Sequence, residues 1–124
     1  MTVIVAEPGK PAVYPLPIKQ RAVFQLTVNL QDQNGNVRTL TGFTAAMQVR
    51  SYVEAPETLA EFTTGDGSIE ITPSTGTIVV TIDDDQTATF LWRHAQYDLF
   101  IFDSSDQGEC VLEGKITVTP AVTR

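Results

Sequence analysis

One histidine, one cysteine and two short aspartate runs are the residues of this chain with the best claim to chemistry. Nucleophilic catalysis sets a base beside a nucleophile. Here His94 lies in Trp92-Arg93-His94-Ala95, a turn ahead of a strand, and Cys110 opens the last strand. The acidic stretch around Cys110 raises a thiol's pKa rather than activating it. One His and one Cys also fall short of a zinc ligand set. Asp83-Asp84-Asp85 and Asp103-Ser104-Ser105-Asp106 hold enough oxygens for a hard cation. Neither has the Asp-x-[Asp/Asn]-x-[Asp/Asn]-Gly spacing of a calcium loop, and aspartate also caps helices and forms turns. Gly-x-Ser-x-Gly, His-Glu-x-x-His, the P-loop pattern and Gly-x-Gly-x-x-Gly are absent. Spacing does not exclude paired carboxylates, whose separation the fold decides, but few aromatics lie outside the strands to build a sugar cleft. The residues read as a non-catalytic protein with no cofactor, no metal and no small-molecule substrate.

The elements that would position these groups follow a period of two. Phe24, Leu26, Val28 and Leu30 alternate with polar residues, as do Phe43, Ala45, Met47 and Val49, each the mark of a half-buried strand. Asn34-Gly35 suits a tight hairpin turn with a short return over residues 37–40. Further strands are expected over 59–63, 68–72, 75–82, 97–102 and 109–119, with turns at Gly65-Asp66-Gly67, Pro73-Ser74-Thr75-Gly76 and residues 104–108. Residues 97–102, apolar apart from Asp98, read as a central strand buried on both sides or facing a partner. The one helical candidate is 84–92. Asp83-Asp84-Asp85 would cap it, and Ala88, Leu91 and Trp92 would cover one end of the molecule. This spacing predicts an all-β, antiparallel sandwich or barrel of about seven or eight strands with one short helix. Within it, Tyr97 is expected to bury its ring and reach a backbone partner at the edge. Gly42 is expected to form a turn, and Gly114 to let a facing side chain come close.

With 124 residues the chain fits one domain and buries roughly two-thirds of its unfolded surface. Residues 1–20 stand apart as an extended arm, and 21–124 form the sandwich. Pro8, Pro11, Pro15 and Pro17 remove backbone donors, so the arm is an edge strand only where the missing donors face outward. It would wrap its own domain or reach a neighbouring copy. With Tyr14, Lys19 and Arg21, these prolines form the candidate interface.

A lone cysteine suits a reducing compartment. The first residues lack a basic signal-peptide start, and no run approaches the ~18 apolar residues of a membrane span, so a soluble protein kept inside the producing cell is expected. The net charge of −7 opposes nucleic-acid binding. Five basic against two acidic residues give +3 over residues 1–50, and three against thirteen give −10 over 51–124. Either an acidic solvated face or a self-complementary subunit accounts for this polarity.

Four strings carry a resemblance: Leu16-Pro17-Ile18-Lys19-Gln20, Leu40-Thr41-Gly42-Phe43-Thr44-Ala45-Ala46-Met47-Gln48-Val49-Arg50, Ala95-Gln96-Tyr97-Asp98-Leu99 and Leu112-Glu113-Gly114-Lys115-Ile116-Thr117-Val118. Together they resemble small structural proteins of tailed bacteriophages, close in pattern to the N-terminal domain of the baseplate upper protein family. The resemblance implies an immunoglobulin-like sandwich and a virion role in the tail, at the baseplate or a tail-fibre attachment. Its partners would be other virion proteins and copies of the chain itself. It brings over no catalytic or ligand residue. A head decoration (cement) protein on the capsid exterior fits a small sandwich with an arm equally well. An immunoglobulin-like carbohydrate-binding module would need an aromatic platform from Tyr14, Tyr52 and Trp92.

Overall fold

The computed structural model describes residues 3–6 and 10–123, leaving aside the side chain of Val3. The strands are β1 (Val3–Ala6), β2 (Ala12–Val13), β3 (Leu16–Lys19), β4 (Phe24–Leu30), β5 (Thr44–Arg50), β6 (Ala60–Thr63), β7 (Ile69–Thr72), β8 (Thr77–Ile82), β9 (His94–Phe102) and β10 (Gly108–Thr119). They form an all-β sandwich. One sheet runs β1-β4-β8-β7, and the other runs β2-β10-β9-β5-β6, with β3 following β2 along the same edge of β10. Strands β4 to β10 make up the body of the sandwich, three in one sheet and four in the other.

Period two explains the core between the sheets. Leu26, Val28 and Leu30 of β4 and Ile78, Val80 and Ile82 of β8 point inward from one side. They meet Ala45, Met47 and Val49 of β5 and Ala95, Tyr97, Leu99 and Ile101 of β9 from the other. A bulge between Cys110 and Leu112 buries Val111 and Leu112 in succession, after which β10 resumes its alternation.

The body pairs antiparallel throughout, but the arm does not. β1 lies parallel to β4, and β2 and β3 lie parallel to β10, so the described part of the arm pairs with both sheets of its own chain. The prolines permit this by their parity. Tyr14 N–H donates to the Glu113 carbonyl at 2.9 Å and Gln20 N–H to the Thr119 carbonyl at 2.9 Å. Even-numbered residues therefore turn their donors toward β10, and Pro15 and Pro17 direct their missing donors away from it. In the same segment Leu16 and Ile18 are only 1% exposed.

Three expectations are corrected. The return after Asn34-Gly35 is a single bridge, Gln31 to Val37, because β1 and β8 already occupy both edges of β4. The helix, α1 (Asp84–Thr87), is one turn rather than 84–92. Thr87 Oγ1 donates to the Ala22 carbonyl at 2.9 Å, Thr89 Oγ1 turns back to the Gln86 carbonyl at 2.6 Å, and Phe90 enters the core. These β-branched residues also disfavour further turns. Phe90 stacks on Trp92, while Leu91 is 80% exposed rather than covering one end of the sandwich. Among the described residues, no helix is long and apolar enough to cross a membrane.

Candidate functional site

The outward face of the larger sheet is where unsatisfied chemistry collects. Register sets its rows. Glu113 of β10 stands opposite Asp98 of β9, Asp98 opposite Gln48 of β5, and Gln48 opposite Glu61 of β6. Two residues along each strand, Lys115 stands opposite Gln96, and Gln96 opposite Arg50. An acidic row thus lies beside a row with a cation near each end. The strands continue to a third row, where Phe100 stands opposite Cys110 and Ala46.

Among the described residues the only ion pair is the forked one between Arg38 and Glu109, with N–O contacts of 2.7 and 2.9 Å, at a different part of the molecule. The five charges of the sheet face (Arg50, Glu61, Asp98, Glu113 and Lys115) form no ion pair among the described residues. Arg50 donates instead to the Ala55 carbonyl at 2.7 Å and to Gln48 Oε1 at 2.9 Å, and Gln48 Nε2 donates to Glu61 at 2.5 Å. Like charges directly opposite on paired strands repel. Partial burial and the facing Glu113 raise the Asp98 carboxyl above the ordinary aspartate range, with Arg50 opposing. Burial, helped by Asp98 and Glu113, pushes the Cys110 thiol up to about 11.

A groove of about 560 Å³ lies over these rows, floored by Asp98, Glu113, Gln96 and Lys115. Val13 and Pro15 of the arm wall one side and Val53 of the β5–β6 loop the other. The arm therefore contributes to the surface while remaining in its own sheet.

The proposed interface residues part company here. Pro15 lines the groove. Pro17 and Lys19 are exposed farther along β3, and Lys19 Nζ donates to the Pro120 carbonyl at 2.9 Å. Pro11 is half-buried, and Arg21 is exposed in a turn at φ 71°. Tyr14 turns the other way: its carbonyl accepts a 2.6 Å hydrogen bond from the buried Tyr97 hydroxyl. Pro8 lies outside the described residues. Asp98, Glu113, Arg50 and Lys115 are not among the candidate interface residues read from the sequence. The period-two alternation of their strands was the available signal, but strand register was needed to bring them together.

The sites of apparent chemistry separate. Cys110 stands opposite Phe100 and His94 opposite Thr117, so six residues of β9 hold them about 20 Å apart. That separation precludes a nucleophile–base pair. Asp103 Oδ1 accepts the Ser105 and Gln107 N–H groups at 2.8 and 3.0 Å, the work of a turn former. Among the described residues no group of three or more His, Cys, Asp or Glu is placed to hold a metal ion. The chain matches no family model and no curated protein.

Proposed function

We propose that this protein is a non-catalytic structural component of a tailed-phage virion, a baseplate, tail or fibre-attachment part that acts through protein–protein contacts. The observation behind the contact role is the uneven placement of exposed apolar side chains. Nine large ones are exposed among the described residues, and six of these (Val23, Tyr52, Val53, Leu59, Leu91 and Val122) belong to segments at one end of the sandwich. Those segments are the turn into β4, the β5–β6 loop, the stretch after α1 and the tail after β10. Gln20 ties three of them: its Nε2 donates to the Phe90 carbonyl at 3.2 Å and its Oε1 accepts the Ala121 N–H at 3.3 Å. Apolar side chains gathered at one end suit a neighbouring protein. The phage assignment rests on the four strings that resemble the baseplate upper protein family.

The test is antibody labelling of intact particles, with a Leu91→Glu, Val122→Glu variant in parallel. The reading expects label on the tail and a folded variant that fails to join the particle. Label on the head exterior favours the cement alternative. A strictly monomeric protein that is absent from particles and binds a soluble glycan tightly overturns it.

A further inference from the structure

We infer that the outward face of the larger sheet is an isologous contact between two copies of this chain, the charge rows of one copy meeting those of the other. The inference rests on the reading of the protein as an assembly part and names one of its partners. Face-to-face packing by a two-fold axis lying across the strands, between the two rows, reverses strand direction but preserves position across the sheet. The Lys115 row of one copy then overlies the Glu113 row of the other. Lys115 meets Glu113 twice, and Arg50 arrives over Gln48 with Asp98 and Glu61 to either side. Five charges that form no ion pair among the described residues thereby gain partners, and the repulsion between facing Asp98 and Glu113 is relieved.

The rest of the face is consistent with this axis. The segment beyond Arg50, which exposes Tyr52 by 55% and Val53 by 70%, is carried toward the partner's Phe100 and Ala46. Val13, 74% exposed on the opposite wall, shares the Glu113 row and so comes over the partner's Pro15, and the groove floor between the walls retains water. Five strands about 4.8 Å apart and three or four outward rows give about 600 Å² per copy. The total of about 1,200 Å² lies at the lower end of specific interfaces. The expected dimer is therefore weak and salt-sensitive.

Charge exchange tests the pairing directly. Sedimentation velocity of the full chain should show a concentration-dependent dimer that weakens as salt rises from about 0.05 to 0.5 M. Lys115→Glu and Glu113→Lys should each be monomeric, with unchanged circular dichroism. An equimolar mixture should recover the dimer, because the two repulsive homodimers become one attractive heterodimer. The double variant, Glu113→Lys with Lys115→Glu, should dimerise alone and serves as the check if one single variant folds poorly. A wild-type monomer at several hundred micromolar, single variants that dimerise like wild type, or a mixture that stays monomeric each overturns the inference. None of these results bears on particle labelling, so this contact and the virion role fail separately.

Discussion

At Tyr97 the arm and the body meet through one hydroxyl. Burial raises its pKa, which keeps it a neutral donor to the Tyr14 carbonyl, 2.6 Å away. Tyr97→Phe keeps the ring and removes that donor. The expected loss is about 1 kcal/mol, read as a lower urea midpoint with an unchanged slope. Asp98 works in the opposite direction. Its carboxyl binds a proton more tightly when folded than when unfolded, so its ionisation opposes folding at neutral pH. That penalty fades as pH falls through the raised folded value toward the unfolded value of about 3.9. Asp98→Asn is therefore expected to raise the pH 7 denaturation midpoint, and its advantage over wild type should shrink as pH falls through that window. An advantage that is constant with pH would assign the gain to something other than ionisation.

Strands whose alternation is unbroken were the legible ones. β4, β5 and the second half of β10 face as their sequences predict, because one buried face fixes the side on which every second residue lies. Met47 and Leu26, 0% and 2% exposed, are expected to cost ~2–5 kcal/mol each on truncation to alanine. Unchanged midpoints would reverse the facing of β5 or β4. The acidic and basic rows were not legible, since Glu113 meets Asp98 only through pairing between strands, and no local pattern encodes that register. Gly114 shows the same limit. Its role as a point of close approach was readable, but the approaching group is the Tyr14 backbone rather than a facing side chain: a β-carbon there would run into the Tyr14 carbonyl. Gly114→Ala is expected to push β2 off β10 while leaving the β9–β10 pairing intact. Hydrogen exchange should show faster exchange at Tyr14 N–H and little change at Leu99.

At the scale of the whole molecule, the question is whether the arm is an attachment or part of the core. Its composition suggested a separable segment, yet its pairing in this structure is divided unequally between the sheets. β1 places Ile4 and Ala6, 8% and 2% exposed, against the edge of β4. β3 places Leu16 and Ile18, each 1% exposed, in the main core beside β10. Burial of a Leu or Ile side chain is worth ~1.5–3 kcal/mol, so losing this pair removes about 3–6 kcal/mol. That is a large share of the 5–15 kcal/mol that holds a typical domain folded. Removing residues 1–10 is therefore expected to leave a cooperatively folding domain of lower midpoint, whereas removing residues 1–19 should abolish cooperative unfolding. Circular dichroism melts of the two truncations decide between the alternatives. A shorter chain lacking 1–19 that still melts cooperatively near the wild-type temperature would make the arm an attachment, free to be exchanged with a neighbouring copy.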